Sequence, residues 1–153
     1  MTLTPPPEQG AAPDAPRRWT AVALAPAADG TPAPPPKGAY SPAVRAGDFV
    51  FVSGQVPRDP HTGALVGEGD VAAQTRQTLA NLGLALAAAG ATLADVVSVL
   101  VHLAHADDWG TFDAVYRETF APPFPTRTAV GAALRGVLVE ITAVAYAPVG
   151  RGA

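Results

Sequence analysis

Two charged residues lie inside segments that otherwise have the composition of β-strands. Arg127 follows Pro125 in the segment TRTAVG, and Glu140 lies within VLVEITAV. A charged side chain on a sheet must reach water, form an ion pair or bind a ligand, because burying it alone is costly. One interpretation is that Arg127 and Glu140 pair with each other or lie on solvent-exposed edges. The other is that Arg127 binds a carboxylate ligand with its planar fork, while Glu140 holds a water molecule or a proton nearby.

Two short glycine-bearing segments add polar groups beside the predicted first hairpin. They are Gly38–Pro42, which contains Tyr40, and Ser53-Gly54-Gln55. Backbone N–H groups at such turns bind anions or carbonyl oxygens. Each segment taken alone is also typical of an ordinary turn, so both interpretations remain open.

The three histidines do not form a convincing metal-ligand set. His61 lies in a turn rich in Gly and Pro, and His102 and His105 straddle the end of a predicted strand. The chain also has no Cys, which excludes thiolate zinc sites, disulfides and a Cys nucleophile. We therefore expect neither a metal ion nor a catalytic thiol.

Composition excludes several classes of function. The 153 residues include 10 Lys and Arg against 13 Asp and Glu, with a formal net charge of −3 and a single Lys. Nucleic-acid binding requires a surface that neutralises phosphates, so we expect no nucleic-acid partner. No apolar run approaches the length of a membrane span, and the N-terminus lacks the apolar core of a secretory signal. The sequence predicts a soluble cytoplasmic protein with no membrane partner.

The chain divides by composition into one domain and two tails. Ten of the 17 prolines fall within residues 1–36, where they oppose both helices and sheets. We interpret residues 1–17 as a flexible tail rich in Pro and Ala, residues 18–149 as a single domain and residues 150–153 as a C-terminal tail. Hydrophobic residues make up 48% of the chain, which is enough to form a sizeable core.

The first half of the domain is predicted to form strands and then a long helix. WTAVAL (19–24) is typical of a short edge strand, and Ala46-Gly47 predicts a hairpin turn between strands at 43–44 and 48–53. Gly54 is predicted to end the second of these strands. Apolar residues at helical spacing then predict a helix that begins after Asp70 and ends at Gly90.

The second half is predicted to add three strands and one helix. VVSVLVHL (96–103) is apolar on both faces, as expected for a central, covered strand. Asp107 or Asp108 is predicted to cap a second helix that ends at Pro122-Pro123. Segments 126–131 and 137–147 are predicted strands, the last being the longest. The order β-β-α-β-α-β-β predicts a two-layer α+β domain with a mixed sheet and both helices on one face. The opposite, largely apolar face would require an oligomer to cover it.

Five blocks of the sequence resemble the Rid family, also called the YjgF family. They are GAYSPAV (38–44), FVFVSGQVP (49–57), QTRQTLANL (74–82), FPTRTAV (124–130) and VLVEITAVA (137–145). Their order and spacing match from about residue 19 to residue 147, and together they are specific. The resemblance implies a chorismate-mutase-like fold and a homotrimer with ligand sites between subunits. It also implies hydrolysis of 2-imino acids or enamines to 2-oxo acids and ammonia, with no cofactor or metal.

The same resemblance assigns roles to individual residues. Arg127 corresponds to the family's carboxylate-binding arginine, and Glu140 to the glutamate that positions the attacking water. Tyr40 and Ser53 correspond to the family's site tyrosine and serine, with Gly54 beside the serine.

Two positions depart from the family pattern. Asp113 stands where deaminase members often have Asn, which adds a negative charge near an anionic substrate, and Ala129 stands where many have Cys. One alternative function is a non-catalytic or regulatory trimer that binds a small carboxylate through Arg127. Another is a ribonuclease or translation inhibitor, which the low basic content argues against.

Overall fold

The computed structural model describes residues 17–26 and 36–150, which form one mixed sheet and two helices. The strands are β1 (Thr20–Val22), β2 (Ala43–Ala46), β3 (Phe49–Gln55), β4 (Val96–Leu103), β5 (Thr126–Gly131) and β6 (Val139–Tyr146). The helices are α1 (Val71–Ala88) and α2 (Trp109–Thr119). The predicted α+β class is confirmed, and the predicted order β-β-α-β-α-β-β is found with the short edge strand β1 added at its start. Residues 1–16 of the predicted N-terminal tail and residues 151–153 lie outside the described residues.

The six strands are arranged in the order β1-β2-β3-β6-β4-β5. Every neighbouring pair is antiparallel except β4 and β5, which are parallel and joined through α2. This crossover leaves β5 as an edge strand beside α2, whereas β6 lies near the centre between β3 and β4. Arg127 therefore lies at a sheet edge, and Glu140 lies in the interior of the sheet.

Both helices form where the sequence predicts them. The Asp70 side chain accepts a hydrogen bond from the Ala73 amide at 3.0 Å and so caps α1, while Gly90 ends it with φ of +72°. A short 3₁₀ turn precedes α2, and Asp108 occupies the cap position without a side-chain capping bond, contrary to expectation. The helix ends before Pro122-Pro123 as predicted.

The two faces of the sheet differ sharply. The face that carries the helices is closed by side chains at most 2% exposed, among them Leu79, Leu82, Phe112, Val101 and Ile141. The other face carries large apolar side chains that are 38–45% exposed, namely Phe49, Phe51, Leu100, Val130 and Tyr146. We call the second surface the open face. Its exposure agrees with the apolar surface expected from the sequence.

Several strand boundaries differ from the prediction. Strand β2 runs to Ala46 instead of Val44, so the hairpin turn is Gly47-Asp48 and not Ala46-Gly47. Strand β3 does not end at Gly54 but continues to Gln55, through a shift in its register with β6. Strand β6 begins at Val139 instead of Val137, and its 8 residues equal those of β4, so it is not the longest strand. Among the described residues, no helix is long and apolar enough to span a membrane.

Candidate active site

Arg127 contacts helix α2, not Glu140. Its Nη2 atom lies 2.8 Å from Oδ1 of Asp113, whose other carboxylate oxygen accepts a hydrogen bond from Arg117 Nε at 2.8 Å. The Asp113 and Arg127 side chains are only 12% and 20% exposed. The guanidinium carbon of Arg127 also lies 4.6 Å from the centre of the Tyr116 ring, within cation–π range. The packing of α2 against β5 therefore fixes this guanidinium at the sheet edge.

The charges around Asp113 keep it ionised. Its hydrogen bond from Arg117 lowers the pKa of the Asp113 carboxyl, partial burial opposes this, and Arg127 lowers it further. Burial raises the pKa of the Tyr116 hydroxyl to about 12, so this group stays neutral. Two guanidinium groups and one carboxylate thus give this region a net positive charge.

The Arg127 guanidinium keeps unused donors beside a cavity. No described residue accepts a hydrogen bond from its Nε or Nη1 atoms. The cavity measures about 210 Å³, and Phe124 and Pro125 complete its wall together with the ionic residues and Tyr116. We call it the Arg127 cleft. The second hydrogen of Nη2, together with an N–H of Nε or Nη1, forms a pair of parallel donors that can bind a planar anion there.

Glu140 lies directly over Gly54. A Cβ atom added at Gly54 would overlap Oε1 of Glu140 and would lie 2.9 Å from its Cδ atom. The absence of a side chain at Gly54 therefore creates the space that the carboxylate occupies. Within the described chain the Glu140 carboxylate makes no ion pair, and it lines a cavity of about 280 Å³ with Arg58 and Arg135.

Arg127 and Glu140 lie on opposite faces of the sheet. Arg127 is paired with Val99, which is 2% exposed and faces the helices, whereas Glu140 is paired with His102 on the open face. Two strand spacings and three residues separate them, or roughly 14 Å between backbones. The interpretation that they pair with each other is therefore wrong for this chain. They also cannot act on one small ligand within a single copy.

The remaining predicted site residues group with Glu140. Tyr40 is 54% exposed and lines a cavity of about 170 Å³ together with Gly54. The Ser53 hydroxyl donates a hydrogen bond to the Ser41 carbonyl at 2.7 Å, which ties β3 to the segment before β2. The structure thus brings Tyr40, Ser53, Gly54 and Glu140 to one end of β3, and places Asp113 with Arg127 elsewhere.

Sequence analysis missed the partner of Asp113 on its own helix. Asp113 and Arg117 are four residues apart on α2, a spacing that favours an ion pair and was available from the sequence. Nothing in the sequence indicated that Arg58 and Arg135 would flank Glu140, because that contact joins two distant loops. In residues 17–26 and 36–150 there is no group of three or more His, Cys, Asp or Glu side chains that could hold a metal ion.

The fold and site define a two-layer α+β protein with an arginine cleft at one sheet edge, and comparison with known proteins places it in a family. A family model described as Endoribonuclease L-PSP matches residues 30–147. A RutC family protein of Pyrococcus horikoshii is 46% identical over 116 residues, which cover 74% of this chain and 91% of that protein. The chain therefore belongs to the Endoribonuclease L-PSP family, which is the Rid family that its five sequence blocks resemble.

Two further relatives extend the comparison. A protein of Rattus norvegicus named 2-iminobutanoate/2-iminopropanoate deaminase is 43% identical over 115 residues, covering 74% of this chain and 83% of that protein. The crystal structure of RidA from the Antarctic bacterium Psychrobacter sp. PAMC 21119 superposes with a TM-score of 0.70 at 36% identity, covering 74% of this chain and 93% of that one. The predicted fold class is confirmed by this likeness.

Proposed function

We propose that this protein hydrolyses 2-imino acids and their enamine tautomers to 2-oxo acids and ammonia, in the cytoplasm and without a cofactor. The observation that carries the proposal is the Arg127 cleft, where two unused donor atoms of a fixed guanidinium adjoin a cavity of about 210 Å³. A volume of that size suits a small carboxylate ligand. The similarity to a rat protein named as a deaminase of this type supports the reaction class.

The proposed reaction asks little of the protein, because an imine is already electrophilic and is more so when protonated. Water adds to the imine carbon, the electrons of the C=N π bond move to nitrogen, and the resulting carbinolamine expels ammonia to leave a carbonyl group. Arg127 would hold the substrate carboxylate by two parallel donors, and Glu140 would orient the water and accept its proton. Tyr40, Ser53 and Gly54 would shape the cleft around Glu140.

A second copy of the chain is needed to bring these groups together. Because Arg127 and Glu140 lie on opposite faces of one sheet, we propose that each site combines Arg127 of one subunit with Glu140 of another. Arg127 is on edge strand β5, where a neighbouring subunit can approach. The open face, with Phe51 at 45% and Leu100 at 38% exposure, supplies an apolar surface for association. A homotrimer with intersubunit sites is the arrangement that the family resemblance implies.

One observation favours a non-catalytic alternative. Within the described chain the only anionic partner of Arg127 is Asp113, and no water-positioning carboxylate lies near it. A trimer that merely binds a small carboxylate at Arg127, for storage or regulation, needs nothing from Glu140. The two functions therefore differ in whether Glu140 matters to the ligand.

A coupled assay tests the proposal. An amino-acid oxidase generates 2-imino acids, and semicarbazide traps whatever imine remains. We expect the protein to reduce the trapped imine, and both Arg127→Ala and Glu140→Gln to lose this effect. Arg76→Ala is the matched control, because Arg76 forms an exposed ion pair with Glu118 away from the cleft.

The assay also separates the two functions. If the folded wild-type protein leaves the trapped imine unchanged, hydrolysis is contradicted. Arg127-dependent binding of a 2-oxo acid in the same preparation would then support the non-catalytic alternative.

A further inference from the structure

Asp113 places a negative charge beside the atoms that would bind the ligand carboxylate. Its Oδ1 lies 2.8 Å from Nη2 of Arg127, and the unused Nε and Nη1 atoms belong to the same planar group. A carboxylate bound to the remaining donors of this group lies on the order of 5 Å from Asp113, given the size of a guanidinium. Two carboxylates at that distance repel each other, and the low exposure of Asp113 limits screening by water. A simple anion therefore binds this cleft less tightly than it would if Asp113 were neutral.

A ligand that carries a cation next to its carboxylate is a better match. An ionised carboxylate has about four acceptor positions, and Asp113 uses one on each oxygen for Arg127 and Arg117. Its remaining positions are free to accept hydrogen bonds from a cationic N–H group. The cleft thus places the Arg127 guanidinium beside the Asp113 carboxylate, so that each can bind the oppositely charged group of one zwitterion.

We propose that Asp113 makes the Arg127 cleft selective for zwitterions of the 2-iminio and 2-amino acid class over 2-oxo acids. This inference rests on the proposed function, because it assumes that Arg127 binds the substrate carboxylate. The carboxylate contacts Arg127, and the cationic nitrogen, attached to the adjacent carbon, donates to Asp113. Asp113 is then a specificity-determining residue that this chain has in place of a neutral amide.

This selectivity has a consequence for turnover. The protonated imine is the more electrophilic form, and a neighbouring carboxylate favours its protonation. In the overall reaction the 2-iminio acid and water give a 2-oxo acid and an ammonium ion, so the bound product loses its positive charge. The product carboxylate then faces Asp113 without a compensating cation, which weakens its binding and favours release.

Titration calorimetry with two matched probes tests the inference. The probes are 2-aminobutanoate, a stable zwitterion, and 2-oxobutanoate, which replaces the ammonium group by a carbonyl oxygen. The proteins are the wild type, Asp113→Asn and the control Glu118→Gln, which removes one negative charge from the other side of the same helix. Thermal unfolding verifies that each variant is folded, and Asp113→Ser replaces Asp113→Asn if the latter is not.

We expect Asp113→Asn to weaken binding of 2-aminobutanoate and to strengthen binding of 2-oxobutanoate. The ratio of the two dissociation constants should shift at least tenfold, which corresponds to about 1.4 kcal/mol. Glu118→Gln should leave the ratio within about twofold, since its exposed pair lies outside the cleft.

Three outcomes would overturn the inference. If both dissociation constants change by the same factor, Asp113 competes with any carboxylate and does not recognise a cation. If neither changes, Asp113 does not face the ligand; in both cases the proposed function stands as long as Arg127→Gln abolishes binding. If the wild-type protein binds neither probe, the Arg127 cleft is not a carboxylate site, and the proposed function fails together with the inference.

Discussion

Under the proposed function, replacing Gly54 by Ala should lower turnover on the order of 100-fold while leaving the protein folded. The added Cβ atom would overlap Oε1 of Glu140 and approach its Cδ to 2.9 Å and its Cγ to 3.1 Å. These are atoms of a flexible side chain and not of the backbone, so the overlap is relieved when the Glu140 side chain rotates away. The backbone of Gly54 does not adopt the positive φ that only glycine favours, so alanine introduces no backbone strain.

The effects on stability nearly cancel, whereas the effect on rate does not. Moving Glu140 away from its rotamer costs about 0.5–1.5 kcal/mol. Alanine restricts the unfolded chain more than glycine does, and this stabilises the folded state by about 0.4–1 kcal/mol. The net change is within about 1 kcal/mol, or a shift of about 2–4 °C in melting temperature for a protein of this size. If Glu140 orients the attacking water as proposed, displacing its carboxylate by about 1 Å lowers the rate on the order of 100-fold.

The imine-trapping assay and thermal unfolding of the same preparations test this prediction. Gly131→Ala is the matched control, because it also changes a glycine at a strand position, and its nearest neighbour, the Ala106 Cβ atom, is 3.8 Å away. We expect the control to retain its turnover and its melting temperature. Turnover by Gly54→Ala within about threefold of wild type would show that the Glu140 carboxylate is not required where the structure places it.

Four further predictions concern the cleft, the assembly and the partners. Arg127→Ala should lower the free energy of unfolding by about 1–3 kcal/mol, because Arg117 still pairs with Asp113. It should also abolish turnover, and Arg127→Lys should restore little of it. Denaturant unfolding and the imine-trapping assay measure both effects, and near-native turnover by Arg127→Ala would contradict the prediction. Light scattering should find that the 15.5 kDa chain forms a trimer and that Phe51→Lys dissociates this trimer. A monomeric wild-type protein would contradict the prediction. The pKa of Asp113 is lowered by folding, so its stabilising contribution is complete above the ordinary carboxyl range and is lost as pH falls through the lowered value. The stability of Asp113→Asn should therefore fall less steeply with decreasing pH than that of the wild type. Identical acid unfolding of the two proteins would refute this. Purified protein should leave RNA intact, whereas salt-sensitive cleavage that Arg127→Ala removes would overturn the expectation.

Local sequence signals predicted most of the fold. Helix α1 begins after Asp70 and ends at Gly90 because a side-chain cap and a residue with positive φ act within one turn of the chain. The hairpin of β2 and β3 and the strand β4 likewise follow from turn residues and apolar patterns that need no tertiary information. The predicted end of β3 at Gly54 was wrong. The low strand propensity of glycine favours an end there, but pairing with β6 extends β3 past it.

The positions of Arg127 and Glu140 relative to each other were less predictable from the sequence. In β6 the alternation of buried Val139 and Ile141 with Glu140 already indicates that Glu140 faces away from the helices. In β5 both faces carry small or apolar residues, so alternation does not say which face Arg127 occupies. The parallel register with β4 decides this, and that register depends on the length and packing of the α2 crossover. The Asp113–Arg127 pair is therefore a tertiary feature with no local signal.

The separation of Arg127 from Glu140 connects assembly with the proposed activity. Glu140 lies on the open face, whose exposed side chains, such as Phe51 and Leu100, form the apolar surface through which we propose that subunits associate. Arg127 lies at the edge of the same sheet and lines the Arg127 cleft, which Glu140 of the same chain does not reach from the opposite face. Under the proposed function, covering the open face and completing the site are thus the same event. A dissociated subunit would retain its carboxylate cleft but would lack the group that activates water, so isolated chains should bind ligand without hydrolysing it.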